Sequence, residues 1–118
     1  MLLLFTLTVA MSGCSWEDDN FLGTWESFAY SDGYNEYELS YYERVTYSFY
    51  NDGTGFYVQN NGLRTQFYWT EYSRGHLYLR HSDGLTQDFY YRFDRGDMIM
   101  SESPGFYTYT VLRYRGHY

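Results

Sequence analysis

The chain has few residues that cross-link or interrupt a fold. Its 118 residues include one cysteine and one proline, and all eight basic residues are arginine. A single cysteine excludes an intramolecular disulfide, so tertiary packing alone must hold the domain together. Pro104 lies between a serine and a glycine, which places it in a turn and leaves every predicted strand uninterrupted.

The chain also lacks the motifs of a catalytic or metal site. His76, His81 and His117 do not have the spacing of a zinc site, and we expect them to be exposed. No nucleophile-elbow motif occurs, although serine, histidine and aspartate are all present. We therefore expect a protein that is not an enzyme and that binds neither a metal ion nor another cofactor.

Basic residues are absent from the N-terminal third of the chain. Eight acids and no base lie between Glu17 and Glu43, whereas seven acids and eight arginines follow from Arg44 onward. The net charge of −7 therefore belongs to this first third. Because phosphate binding requires a basic face, we expect no nucleic-acid partner. We also expect a monomer.

Helical periodicity is absent after Gly23, and turn signals take its place. Most follow one another at intervals near the 8–12 residues that are typical of sandwiches and barrels. They are Ser31–Gly33, Asn51–Gly53, Asn60–Gly62, Ser73–Gly75, Ser82–Gly84, Asp94–Gly96 and Ser103–Gly105. Seven turns separate eight strands, and short connections pair neighbours antiparallel. The pattern predicts an all-β fold, an eight-stranded antiparallel up-and-down β-barrel, whose closure removes exposed strand edges.

The clearest alternation of apolar and polar residues runs from Tyr37 to Tyr50. Its odd positions are aromatic or aliphatic except for Glu43, which predicts that the odd positions face inward. A carboxylate on such a face must pair, neutralise or meet a ligand, and its pKa should be raised. The alternatives are a bulge that turns Glu43 outward and a salt bridge to an arginine.

The first residues resemble a bacterial lipoprotein signal peptide. A short apolar run ends in Ser12-Gly13-Cys14, and it is too short to span a bilayer, which needs ~20 apolar residues. The resemblance implies that residues 1–13 are removed, that Cys14 is lipidated, and that residues 14–20 form an acidic tether before a barrel of residues 21–118. The acidic run after Cys14 resembles the export signal of surface-exposed lipoproteins of Bacteroidota-type bacteria. It implies an outer-membrane lipoprotein, with a lipid anchor as its membrane contact. A short buried strand or a disordered tail is the alternative.

The remainder resembles the lipocalins, or more broadly the calycins, in three features. Gly23-Thr24-Trp25 opens the first strand, the strands follow in meander order, and Arg113 lies near the end of the last strand. The resemblance implies that Gly23 and Trp25 lie at a closed end of the barrel, where Arg113 packs over the indole ring of Trp25 by a cation–π contact. The chain is most similar to small lipocalin-like lipoproteins of Bacteroidota-type bacteria.

If Trp25 closes one end, cavity space must lie toward the other. The side chains expected to face inward along the first strand shrink in that direction, and the following loop crosses the mouth. We expect a small apolar or amphipathic ligand to contact Ser27, Ala29, Tyr34, Tyr41, Glu43, Trp69 and Tyr109. The alternative is a protein-binding module, similar to protease or lysozyme inhibitors or serving as a glycan or adhesion accessory. In that case the acidic segment 32–43 would meet a basic partner.

Overall fold

The computed structural model describes residues 21–60 and 62–116, and these ranges contain nine strands and one 3-10 helix. The strands are β1 (Gly23–Ser31), β2 (Glu36–Glu38), β3 (Val45–Phe49), β4 (Thr54–Gln59), β5 (Arg64–Ser73), β6 (His76–His81), β7 (Thr86–Asp94), β8 (Asp97–Ser101) and β9 (Tyr109–Gly116). The predicted signal peptide, Cys14 and the tether lie outside the described residues. In the part of the chain that the structure describes, none of the helical structure is long and apolar enough to cross a membrane.

Eight of the strands, β1 and β3 to β9, form a closed antiparallel barrel. From β3 to β9 each strand pairs with the next one in sequence, and β1 closes the circle by pairing with β3 on one side and β9 on the other. The predicted eight-stranded up-and-down β-barrel is therefore confirmed. The short strand β2 pairs with the second half of β1. It lies on the same side of β1 as β3, which pairs with the first half.

The strand predicted from Tyr37 to Tyr50 is interrupted, and this part of the prediction is wrong. The 3-10 helix Tyr41–Glu43 separates β2 from β3, and the alternation places buried rings on β3 at Tyr47 and Phe49 only. The cause is local. The backbone N–H of Ser40 donates to a carboxylate oxygen of Glu43 at 2.9 Å, and the side chain of Ser40 accepts the backbone N–H of Glu43, which also donates to the Ser40 carbonyl at 3.0 Å. This reciprocal arrangement is a capping box.

A bulge in β1 decides which of its side chains enter the barrel. Val111 pairs with Ala29 and Leu112 pairs with Ser27, so β1 has one residue, Phe28, more than β9 between these pairs. Such a bulge reverses the alternation beyond it. Ser27 therefore faces the interior, whereas Ala29 faces outward.

Two apolar clusters result from this arrangement. The interior core consists of Phe21, Trp25, Tyr47, Phe49, Phe67, Leu77, Leu79, Phe89, Tyr91, Met98, Met100 and Leu112. A smaller outer cluster lies on the other face of the sheet, because Ile99 alternates with the inward Met98 and Met100. The outer cluster consists of Ala29, Ile99 and Val111 with the partly buried Phe28, Phe106 and Tyr109.

Gly55 on β4 allows the closest approach inside the barrel. A Cβ atom at this position would overlap the carbonyl oxygen of Ser48 and would lie 2.5 Å from Cε1 of Phe67. The Phe67 side chain is fully buried, so its ring occupies the space beside the glycine. A side chain at residue 55 would have to displace either this ring or the backbone of β3.

We expect Gly55→Ala to lower the free energy of unfolding by about 2–3 kcal/mol, because the extra methyl group overpacks a rigid site. Gly84→Ala is the control: Gly84 has a φ of +95° and open space around it, so only backbone strain of about 1 kcal/mol is expected. Urea denaturation followed by circular dichroism measures both. Equal losses would contradict the close approach at Gly55.

Candidate functional site

Trp25 lies at the end of the barrel where β1 begins and β3 ends, called here the closed end. It is 3% exposed, and its indole N–H donates to the carbonyl of Phe21 at 2.8 Å. Its ring meets the rings of Phe93 and Tyr114, with centroids 5.8 and 5.1 Å away. Gly23 has a φ of +113°, and a Cβ there would lie 2.7 Å from Cε1 of Tyr114. Tyr114 is therefore the residue of β9 that packs against the Gly-x-Trp motif.

Arg113 does not pack over Trp25, and this expectation is wrong. Its guanidinium carbon lies 3.7 Å above the ring centre of Phe28, among the side chains of the outer cluster. The error came from the choice of inward face on β9. Val111 and Leu112 are both buried, one in each cluster, so alternation alone does not reveal which parity faces inward.

A cavity of about 290 Å³ lies at the opposite, open end of the barrel. It is lined by Tyr30, Val45, Tyr47, Gln87, Phe89, Met100, Ser101, Glu102, Thr108, Tyr109 and Thr110. These residues come from the ends of β1 and β8 and the beginnings of β3, β7 and β9. Of the seven predicted ligand contacts, all of them among the described residues, only Tyr109 lines this cavity.

The two small residues of β1 do not line this cavity, contrary to the expectation that they lie along its mouth. Ser27 is fully buried, and its hydroxyl oxygen accepts the backbone N–H of Val45 at 2.8 Å, where β3 begins. Ala29 lies in the outer cluster because of the bulge at Phe28. Neither residue leaves space inside the barrel.

The aromatic residues Tyr34, Tyr41 and Trp69 also lie away from the cavity, which corrects their prediction. Tyr34 is 93% exposed and Tyr41 is 66% exposed. Trp69 lies near the closed end, where its indole N–H donates to the carbonyl of Tyr50 at 2.8 Å and to that of Thr54 at 3.1 Å. It therefore ties β5 to the β3–β4 turn.

Glu43 faces solvent, and the expected raised pKa is wrong. The backbone N–H of Ser40 and then its hydroxyl hold the pKa of the Glu43 carboxyl below its usual value. The four-residue sequence Ser-Tyr-Tyr-Glu carries the capping-box signature Ser-x-x-Glu, which could have located this turn from the sequence. The outward alternative for Glu43 is the correct one.

Asp32 organises the loop between β1 and β2. One carboxylate oxygen accepts the backbone N–H groups of Tyr34 and Asn35, both at 2.9 Å, and the other accepts the hydroxyl of Tyr37 at 2.9 Å. The N–H of Asn35, followed by that of Tyr34, lowers the pKa of Asp32 below its ordinary value. The loop is thus a hydrogen-bonded turn beside the mouth of the barrel.

Tyr47 places a buried phenol in the wall of the cavity. Its side chain is 7% exposed and packs against the rings of Phe49, Tyr57 and Phe89. Its hydroxyl forms no hydrogen bond with any residue that the structure describes. Burial raises the pKa of Tyr47 far above its usual range, and the charges of Tyr57 and Glu102 add to this effect. The wall therefore keeps a protonated phenol that has no hydrogen-bond partner in the described part of the chain.

His81 and Gln87 form the polar part of the wall behind the aromatic residues. A ring nitrogen of His81 lies 2.6 Å from the side-chain oxygen of Gln87, and Gln87 lines the cavity. The expectation that His81 is exposed is wrong, because it is buried between the rings of Tyr57 and Phe67. Among residues 21–60 and 62–116, no cluster of three histidine, cysteine or acidic side chains could hold a metal ion.

A larger groove of about 440 Å³ lies on the outer face, but its charged groups already have partners. Arg115 contacts Glu26 at 2.5 Å, and Arg44 contacts Glu38 at 3.4 Å. Arg113 stacks on Phe28, as described above. The cavity at the open end is the better candidate site, because a buried polar group there, the Tyr47 hydroxyl, has no hydrogen-bond partner among residues 21–60 and 62–116.

Comparisons with known proteins found no matching family model, no matching curated protein and no matching solved structure. The likeness to lipocalins therefore consists of what the chain itself shows: a closed antiparallel barrel of eight strands with a Gly-x-Trp motif at the start of β1.

Removing the Trp25 ring should destabilise the protein far more than removing the Arg113 guanidinium. We expect Trp25→Ala to lower the free energy of unfolding by about 3–5 kcal/mol, since it empties the closed end. Arg113→Ala loses an outer cation–π contact of about 1 kcal/mol. Urea denaturation followed by circular dichroism checks both variants. Comparable losses would contradict the separation of Arg113 from Trp25.

The Asp32 turn should lose its carboxylate hydrogen bonds on acidification. A carboxyl whose pKa is lowered by folding stabilises the fold above its unfolded pKa, and this stabilisation disappears as pH falls through the lowered value. The amide NMR shifts of Tyr34 and Asn35 should titrate with a midpoint below the ordinary pKa of 3.8. Asp32→Asn should abolish that titration, and a midpoint at or above 3.8 would contradict the assignment.

Proposed function

We propose that this protein is a tethered, non-catalytic β-barrel that binds a small amphipathic ligand at its open end. The observation that carries the proposal is the cavity of about 290 Å³ with a buried phenol, Tyr47, that has no hydrogen-bond partner among the described residues. A buried polar group without a partner costs about 1–3 kcal/mol. A ligand that satisfied this hydroxyl would recover part of that free energy.

The size of the cavity limits the ligand. Its volume of about 290 Å³ lies at the lower end of the range of ~300–1,000 Å³ that is usual for ligand pockets. The space corresponds to on the order of ten water molecules at ~30 Å³ each. It fits one aromatic ring with a short side chain, whereas a sterol or a porphyrin would need much more room.

The chemistry of the wall favours an amphipathic molecule. Val45, Phe89 and Met100 supply an apolar surface, while the Tyr47 hydroxyl can both donate and accept a hydrogen bond. Gln87 and the threonines at the start of β9 add polar groups nearer the rim. An apolar body with a single polar group would contact both kinds of surface.

Phenethyl alcohol is a suitable probe, and ligand-observed NMR measures its binding. Val45→Phe should abolish binding, because the larger side chain fills the cavity. Thr46→Phe, on the same strand but the opposite face, is the matched control and should bind like the parent. Binding that is absent in the parent protein, or that survives Val45→Phe, would overturn the proposal.

Tyr47→Phe separates binding from stability. We expect the variant to bind the probe about 2–10-fold more weakly, which is the loss of one hydrogen bond of about 0.5–1.5 kcal/mol. The free energy of unfolding without ligand should be unchanged or higher, because the change removes a buried hydroxyl without a partner. A clear loss of stability would show that the hydroxyl has a partner within the protein.

The same proposal places the barrel on an outer membrane, at the cell surface, through the lipidation of Cys14. It is supported by the Ser12-Gly13-Cys14 sequence and the acidic residues after it, which resemble lipoproteins of Bacteroidota-type bacteria. Several acyl chains anchor a protein stably, whereas a single chain does so only marginally. We expect Cys14→Ala to move the protein from the membrane to the soluble fraction on cell fractionation, whereas Ser15→Ala should remain bound. Membrane retention of Cys14→Ala would contradict the tether.

A protein-binding module of the envelope is the second candidate, and one observation favours it. Tyr34, Tyr42 and Tyr107 are 93%, 85% and 76% exposed, and the first two lie in the acidic segment of the chain. Exposed tyrosine is typical of protein interfaces. Such an interface would not respond to Val45→Phe, since that change is confined to the cavity.

A further inference from the structure

We propose that the cavity selects a small organic cation, an ammonium group attached to an apolar or aromatic body; this inference rests on the proposed ligand-binding function. Two observations point to it: the negative charge of the cavity wall, which Glu102 carries, and the aromatic rings beside it. A neutral ligand of the same shape would fill the cavity, and a carboxylate ligand would be disfavoured.

The wall of the cavity carries negative charge only. Among its eleven lining residues, all of them described, Glu102 is the only one that is charged at neutral pH, and none is basic. An anionic ligand would meet this carboxylate with no compensating cation, whereas an ammonium group would pair with it. Glu102 lies on the segment that follows β8, at the outer part of the cavity.

The arginines among the described residues do not neutralise the negative charge of the cavity wall. Those with ring contacts stack on the outer face of the barrel: Arg64 on Phe56, Arg80 on Tyr68, Arg92 on Phe106 and Arg113 on Phe28. Arg44, the basic residue nearest in sequence to β3, contacts Glu38 and donates to the carbonyl of Leu39. The loop beside the mouth adds the carboxylate of Asp32, which is held by its own turn.

The rings of the wall suit a cation as well. The rings of Tyr30, Tyr47 and Phe89 line the cavity, and Tyr47 and Phe89 meet edge to face with centroids 5.9 Å apart, whereas the Tyr109 ring packs in the outer cluster. The faces of aromatic rings carry partial negative charge and attract ammonium groups. The Tyr47 oxygen can also accept a hydrogen bond from an ammonium N–H, because a hydroxyl has two acceptor lone pairs.

Three probes with similar apolar bodies test the inference: phenethylamine, phenethyl alcohol and hydrocinnamate. Isothermal titration calorimetry at neutral pH measures the three dissociation constants on the same protein. We expect the protonated amine to bind on the order of tenfold more tightly than the alcohol, which is the combined effect of one exposed ion pair and one cation–π contact. The carboxylate should bind more weakly than the alcohol.

Glu102→Gln assigns the preference to a residue. This variant should lose most of the difference between amine and alcohol while its affinity for the alcohol stays the same. Glu36→Gln is the matched control: it removes one negative charge from the same end of the barrel, but Glu36 lines grooves of the outer face and not the cavity. The control should keep the amine preference. If both variants lose it equally, the preference reflects general charge attraction, and the assignment to Glu102 is overturned.

The outcomes separate this inference from the function on which it rests. If the alcohol binds and the amine binds no more tightly, the cation preference is wrong and the ligand-binding barrel remains. If none of the three probes binds, the proposed ligand-binding function fails together with the inference. Tighter binding of hydrocinnamate than of the amine would overturn the inference directly.

Discussion

The pairing of β9 with β1 is the constraint on which the rest of the structure depends. It closes the sheet, so no long edge is left to pair with another chain. It also holds the bulge at Phe28, which divides the inward face of β1 into two parts. Before the bulge Trp25 and Ser27 face inward, and beyond it Tyr30 reaches the cavity while Ala29 faces outward. One extra residue therefore determines which side chains of β1 line the cavity at the open end.

Much of the fold could be predicted from the sequence because its signals are local. Gly-containing turns set the strand order, and Gly23 and Trp25 mark the closed end. The cavity lining could not be predicted in this way. Alternation along a strand predicts which side chains face inward only up to the next bulge or helix cap, where the pattern changes. A capping box at Ser40 removed Glu43 from the interior, and apolar residues on both faces of β9 concealed the outward direction of Arg113. The Ser-x-x-Glu sequence could have predicted the outward position of Glu43. No local sequence feature predicts the outward direction of Arg113.

Among the described residues, large side chains are concentrated at the closed end of the barrel, and the cavity of about 290 Å³ lies at the other end. At the closed end the rings of Phe21, Trp25, Phe49 and Trp69 contact one another or the strands around them, and Gly55 lets Phe67 pack more tightly still. At the open end Thr108 and Thr110, on either side of the first residue of β9, line the cavity with small side chains that do not fill the space. Eight strands enclose room for side chains or for one small ligand, and here side chains fill the closed end while a cavity of about 290 Å³ remains at the open end.

The Tyr47 phenol connects stability to binding. Its ring stabilises the core through contacts with Phe49, Tyr57 and Phe89, and phenylalanine would supply the same contacts without an unpaired hydroxyl. Stability alone therefore does not account for tyrosine at this position. Tyr47 lines a cavity whose only charged lining residue among those described is Glu102, so the proposed ligand could contact the phenol and the carboxylate together. A cost in the free protein that a ligand can offset is the usual physical relation between a binding site and the fold that supports it.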